Sequence, residues 1–317
     1  MDDLRDELRA SAREVLAVGS DWPRLVDAGW TGLEVPDDLG GAGVTFAETA
    51  VVLTELGRAA GGSGYLGTAL AIGALTALPA DAARDALLER IASGARAALA
   101  AGFALHDDTV SGEAAFVADA ADAEILLLLA GDTVVMASDL TITPRPVLDA
   151  TRALADVGAD RAPVTSAWRL PVDANRMAER AAVAIACDSL GVADAMLTAT
   201  VDYVKVRHQF DRPIGSFQAV KHACADMLVR ISVARQLVDA AVADVAAGTD
   251  ASTSVAMAKS YACSAAVDVA GKAMQLHGGI GYTWESGVHV YLKRATLNRS
   301  LCGSPAAHRR TVAARYD

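Results

Sequence analysis

Three long stretches almost free of helix breakers dominate the second half of the chain: residues 174–206, 217–247 and about 252–277. The interruptions are short and rich in breakers. FDRPIGS (210–216) separates the first two, Gly248 closes the second, and Asp250 or Ser252 caps the third. On the third, Val255, Ala258, Ala262, Ala266, Val269, Ala273 and Leu276 form one apolar stripe, and Lys259, Asp268 and Lys272 are expected to face away. This helix stops at GGIG (278–281), and two short helices follow, around 286–299 and 304–315. The pattern predicts a C-terminal helical bundle.

The first 95 residues also read as helices. Leu4, Leu8 and Val15 fit one face of the first, and a second begins at Trp22. The stretch 32–44, with its Pro, Asp and repeated Gly, is a loop. Thr45 then caps a helix through Ala59 with Val51, Val52 and Leu56 inward. Residues 67–78 are apolar nearly all round and predict a buried helix. From Arg96 to Val172 the texture becomes short and strand-like, in TVSGEAAFVADA, EILLLLA, TVVMA and SAWRLPV, with turn residues between. The fold expected is mainly α with a small central β domain, divided at 1–95, 96–172 and 173–317. Alanine-rich apolar content (53% hydrophobic, only 5% aromatic) favours tightly packed helices.

Several functions are disfavoured. A formal net charge of −11 argues against a nucleic-acid partner, which needs surplus Lys and Arg. Cys187, Cys224, Cys263 and Cys302 are scattered, with no CxxC pair, so a reducing cytoplasm is expected. The chain opens on charged residues with no signal-peptide pattern, and its longest apolar runs, 125–130 and 70–77, are too short to span a bilayer. None of the six histidines stands in a zinc-type cluster, and no metal is expected. There is no GxSxG elbow. Cys302, near Arg299 and a following helix, offers a nucleophile, but the plainer reading of it is a small cysteine in an apolar site.

Two segments stand out. RHQFDRPIGSFQAVKH (207–222) sits where one long helix ends and the next begins. Arg207 offers a forked donor suited to a diphosphate or carboxylate, Phe210 a flat apolar face, and Gln218 an amide. The plainer alternative is an interhelical turn whose Arg makes a surface salt bridge. AMQLHGGIGY (273–282) ends a helix on two glycines, where backbone N–H groups can approach a ligand. Its alternative is an ordinary glycine C-cap. A dinucleotide-binding fingerprint is excluded, because those glycines close a helix instead of opening one.

Taken together, these segments resemble the acyl-CoA dehydrogenase family. GWTGLEVPDDLGGAGVTFAETAVVLTELGRA (29–59), VKVRHQFDRPIGSFQAVKHACADM (204–227) and AMQLHGGIGYTWESGVHVYLKRA (273–295) are similar to three of its regions, in order and at family-like spacing. Asp211 departs from the usual Gly. The resemblance implies an N-terminal helical domain, a middle β domain and a C-terminal four-helix bundle. It also implies FAD, α,β-dehydrogenation of an acyl-CoA thioester, and electron transfer to an electron-transfer flavoprotein.

The departures from the family pattern fall into one group. The resemblance places the family's usual catalytic Glu at Cys302, and the alternative position on the first long C-terminal helix at Ala181. Glu179 is two residues off, about 200° round the helix. The family's Thr-Glu-Pro-Gly loop has no counterpart in 97–108, and its Trp-Ile-Thr strand stands here as Phe116, Val117 and Ala118. The residues matching those that reach a neighbouring subunit's FAD are kept: Arg207, Phe210, Gln218 and Gln275, with Leu276 and His277 leading into Gly278 and Gly279. That pattern is similar to the smaller subunit of the heterotetrameric acyl-CoA dehydrogenases of actinobacteria, many of which act on steroid-derived CoA thioesters. The expectation is a subunit without its own base, paired with a larger one that has it. The alternatives are a self-sufficient homo-oligomeric flavoenzyme using Glu179, or a non-catalytic scaffold.

Overall fold

The computed structural model describes residues 2–62 and 64–315. Their contacts fall into two compact units, residues 1–52 with 62–181, and residues 53–61 with 182–317. The N-terminal helices and the β region share the first unit.

The first unit begins with α1 (Asp2–Val18) and α2 (Trp22–Asp27). The expected inward face of α1 is only partly so: Leu4 is 50% exposed, and Ala12 is the position that is fully covered. The glycine-rich segment after α2 is organised by two single 3-10 turns, at Trp30–Gly32 and Asp37–Leu39. Helix α3 (Phe46–Ala59) starts on a reciprocal cap. The Thr45 hydroxyl accepts from Ala47 N, and Glu48 reaches back to accept from Thr45 N at 3.0 Å. Burial pushes the Glu48 acid up, but bonds from Arg5 and Thr45 outweigh it and hold the group below its ordinary value. Helix α4 (Tyr65–Thr76) is buried from Tyr65 through Leu75, as its unbroken apolar character predicts, and α5 (Ala82–Ala92) is capped by Asp81.

Six strands follow: β1 (Ala97–His106), β2 (Thr109–Ala118), β3 (Ile125–Ala130), β4 (Thr133–Ala137), β5 (Thr141–Arg145) and β6 (Leu154–Arg169). Their order is β2-β1-β3-β4-β6-β5, and a further β2–β6 pairing closes five of them into a ring with β5 as an outer edge. Alternation explains the core. Ile125, Leu127 and Leu129 of β3 face a cluster with α4 and α5, while Leu128 and Ala130 face the interior of the ring. A strand buried on both faces needs an uninterrupted apolar run, and ILLLLA supplies it. The helices and sheet therefore share one core.

The second unit holds the end of α3, most of α6 (Asn175–Val206), the hairpin strands β7 (His208–Gln209) and β8 (Arg212–Pro213), then α7 (Gln218–Ala247), α8 (Ser252–His277), α9 (Val288–Ser300) and α10 (Pro305–Ala313). Helix α6 is long and apolar enough to cross a bilayer, but 72% of its most apolar window is buried within the protein. Against α6 the last turns of α3 lie backbone to backbone. A Cβ on Gly191 would stand 1.8 Å from Thr54 O, and one on Gly57 would stand 2.0 Å from Asp188 O. Neither Asp250 nor Ser252 is the cap of α8: that position is Ala251, and Asp250, one residue before it, accepts the Ser252 N–H and hydroxyl through Oδ1.

Candidate functional site

Helix α6 ends at Val206 and the chain doubles back at once. His208 pairs with Pro213 and Gln209 with Arg212, so Phe210 and Asp211 are the entire turn. Both have left-handed φ, 55° and 60°, as a type I′ turn requires. Asp at the second position, where the resemblance expects Gly, is tolerated because its short polar side chain suits that conformation. The turn projects Phe210 outward, 86% exposed. Phe217 packs edge-on against it, ring centroids 6.1 Å apart, and the Arg212 guanidinium lies 4.1 Å over the Phe217 ring. Arg207 is pinned through its main chain: its N–H donates to Tyr203 O at 2.9 Å, and its carbonyl accepts from Ile214 N at 2.8 Å. Its guanidinium is exposed and has no partner among the described residues. Gln218, the first residue of α7, is also exposed.

The glycine segment terminates α8. Gly278 has φ 62° and ψ −142°, a region that is essentially glycine-only. A Cβ built on Gly278 or Gly279 would meet nothing within 4 Å, so the space before both is open. Gln275 is exposed, and its Oε1 accepts from Lys272 Nζ at 2.8 Å, which leaves the amide N–H groups as outward donors. Leu276 is half-buried. The His277 imidazole is buried, stacked on Tyr203 at 4.4 Å, with Nδ1 2.8 Å from Ala273 O. The ring of His277 is thus engaged in packing.

Tyr203 brings the two segments together at one end of the helical unit, its hydroxyl donating to His277 O at 3.3 Å. Sequence reasoning missed Tyr203, Arg212 and Lys272. The partner of Tyr203 is 74 residues away, beyond any local pattern. Arg212 did have a signal, an arginine five residues before an aromatic across a turn.

A second polar cluster lies in the interior of the same unit. Arg294 grips Asp188 with two bonds, Nε to Oδ1 at 3.0 Å and Nη2 to Oδ2 at 2.6 Å, and donates from Nη1 to Gly61 O. Asn298 donates to Asp188 Oδ1 at 2.6 Å and to Ser189 Oγ, which lies 3.3 Å from Cys263 Sγ. Lys259, expected to face away, is fully buried, its ammonium donating to Asn298 O at 3.1 Å and Gly303 O at 2.9 Å. The expectation failed because α8 is covered on most sides, and Lys259 shares a face with Cys263, Ala266 and Ala270.

The two candidate base positions separate by unit. Cys302, left-handed at φ 53°, is exposed in the second and does not occupy an apolar site; its carbonyl is 2.8 Å from His308 Nε2. Glu179 and Ala181 are half-buried in the first. Burial pushes the Cys187 and Cys263 thiols well up. In the native protein a maleimide at neutral pH should therefore modify Cys302 rapidly, and Cys187 and Cys263 only after unfolding. Peptide mapping of the adducts reads this directly, and early modification of Cys187 would contradict the packing described.

Comparison with known proteins places these features. Residues 173–316 match the acyl-CoA dehydrogenase C-terminal domain, and residues 3–95 match its N-terminal domain. The acyl-CoA dehydrogenase IpdE2 of Mycolicibacterium smegmatis is 36% identical over 98% of this chain and 92% of its own length. IpdE2 of Mycobacterium tuberculosis is 37% identical over 90% of this chain and 82% of its own. Among solved structures, a variant of the Tcur3481-Tcur3483 steroid ACAD superposes with TM-score 0.90 at 25% identity, covering 99% of this chain and 97% of the other. The Mycobacterium tuberculosis ChsE4-ChsE5 complex shares the fold, with TM-score 0.88 at 23% identity and coverage of 98% and 96%. With both terminal domains matched and near-complete coverage by relatives above one-third identity, the chain belongs to the acyl-CoA dehydrogenase family.

Proposed function

We propose that this chain is the subunit of a heterotetrameric acyl-CoA dehydrogenase that grips the nucleotide end of FAD, while a larger partner encloses the flavin ring and carries the catalytic Glu. The observation that carries this reading is the exposed Arg207 guanidinium, with no partner among the described residues, on a segment that Tyr203 ties to the residue before a glycine pair whose outer side is open. Such a donor set fits an anionic diphosphate with a hydrogen-bonding base at its end. Arg207 would pair with the diphosphate, and Gln275 and Gln218 would offer amides to the adenosine portion. Gly278 and Gly279, with Leu276 and His277 leading into them, would admit close backbone approach, and Phe210 would lend an apolar face. FAD, when bound, supplies the hydride acceptor for α,β-dehydrogenation.

Two further observations support a shared site. Phe210, Tyr282 and Trp284 are 86%, 72% and 81% exposed, apolar surface that a partner subunit would cover. The resemblance to the family puts Cys302 where its Glu is usual, and a thiol there offers no carboxylate to abstract an α-proton. The steroid ACAD among the superposed structures favours a steroid-derived CoA thioester as substrate, and the family's chemistry favours an electron-transfer flavoprotein as acceptor.

The test is flavin content with and without the partner. Alone, the chain should hold little FAD and show no dehydrogenase activity, and co-expression with the larger subunit should give both. In the complex, Arg207→Ala should weaken FAD binding roughly 10- to 150-fold, the loss of a charge-assisted bond of about 1.5–3 kcal/mol. Tight FAD and turnover from the isolated chain would return the assignment to a self-sufficient homo-oligomer. Unchanged flavin occupancy in the Arg207→Ala complex would leave only a scaffold.

A further inference from the structure

We infer that Tyr203 is the positioning residue of this site, one side chain and its own carbonyl holding the arginine hairpin and the glycine turn in fixed register. The inference rests on the reading that Arg207 and the Gly278–Gly279 segment receive the nucleotide end of FAD. Tyr203 is one turn before Arg207, and its carbonyl accepts the Arg207 N–H at 2.9 Å. Its hydroxyl donates to the carbonyl of His277, the residue immediately before the glycine pair. Its ring lies nearly parallel to the His277 imidazole, 4.4 Å between centroids and 18° between planes. That imidazole is itself fixed, with Nδ1 2.8 Å from Ala273 O.

Each end of this linkage meets a segment that cannot place itself. The hairpin is two residues per strand with two left-handed residues at its tip, and a two-stranded ribbon of that size has no independent stability. The glycine pair has no side chain to pack, and Gly278 has a backbone conformation that only glycine readily adopts. A diphosphate bound by a guanidinium on one segment and by main-chain N–H groups on the other needs both within a fraction of an ångström of a set geometry. Tyr203 joins the two directly: hydroxyl and ring on the glycine side, main chain on the arginine side. A phenylalanine would keep the stack and lose the bond to His277 O. A leucine would lose both.

The experiment uses the complex with the larger subunit and measures dissociation constants for FAD and for FMN, which lacks the adenylate end, by flavin fluorescence. Tyr203→Phe should weaken FAD about three- to tenfold, as expected for one neutral hydrogen bond. Tyr203→Leu should weaken it further, and FMN affinity should stay at the wild-type value in both. Equal loss for FAD and FMN would mean a general structural role and overturn the inference. If Arg207→Ala weakens FAD but both Tyr203 variants bind it normally, Tyr203 does not position the site, although the site reading survives. If Arg207→Ala itself leaves FAD affinity unchanged, the site reading has failed. Should Tyr203→Leu fail to assemble, Tyr203→Phe, which keeps the ring, decides the question alone.

Discussion

Asp188→Ala should destabilise the helical unit by about 3–5 kcal/mol, because it removes the carboxylate of a buried ion pair. Arg294 is 2% exposed, and Asp188, with which it forms an ion pair, is 3% exposed. Removing Asp188 takes away the two bonds that Arg294 Nε and Nη2 donate to the carboxylate, and the Oδ1 acceptor of Asn298. The same carboxylate joins α6 to α9, so the loss is not confined to one helix. Chemical denaturation followed by circular dichroism should show the midpoint fall. The decisive comparison is Asp188→Ala combined with Arg294→Met: removing the remaining buried charge as well should restore part of the stability, since an apolar pair tolerates burial better than half an ion pair. If the double variant is less stable than the single, the penalty lies in packing and not in the remaining charge.

Much of this architecture was legible because helix periodicity is a local property. The stripe on α8, the glycine that closes α7, the Thr45 cap and the all-round apolar α4 each follow from residues within a turn or two of one another. The strands were less visible. AALAAGFALH of β1 is alanine-rich and was not singled out as a strand, yet it pairs with β2 and β3. β5 reads TITPR, with a proline that argues against a strand; it survives because β5 pairs with β6 alone, at the edge of the sheet. The strand matching the family's Trp-Ile-Thr is broken by a bulge, with Phe116 left-handed at φ 56° and its N–H donating to Asp156, a partner 40 residues on.

At the candidate site, the motif segments carried the residues that meet solvent but not those that hold them. Arg207, Phe210, Gln218 and the glycines belong to recognisable strings, whereas Tyr203 acts through His277 and Asp188 acts through Arg294, across 74 and 106 positions. Residues that touch a ligand are constrained by the ligand and leave a motif. Residues that position them are constrained by a tertiary contact, which appears only once the helices are packed.

Lys259 gives the second large effect, and its size follows from what surrounds the ammonium. Lys259→Ala should cost about 3–5 kcal/mol, the sum of a cavity and the lost bonds to one buried and one part-buried carbonyl. Those carbonyls belong to Asn298 in the last turn of α9 and to Gly303 in the turn that leads into α10. Cys302 and Gly303 are both left-handed, at φ 53° and 93°, and His308 Nε2 lies 2.8 Å from Cys302 O. Cutting the Lys259 tie should therefore loosen the segment from Leu301 to Ser304 before the rest of the unit. Lys259→Met separates the two contributions. It refills the space without restoring a donor, and should recover roughly 1–2 kcal/mol of the loss. Hydrogen exchange at the Leu301 and His308 amides should be faster in both variants, and the Cys302 thiol should react faster with maleimide. A Lys259→Met protein with wild-type stability and wild-type exchange would mean that water satisfies both carbonyls, and that the buried charge is not what holds this turn.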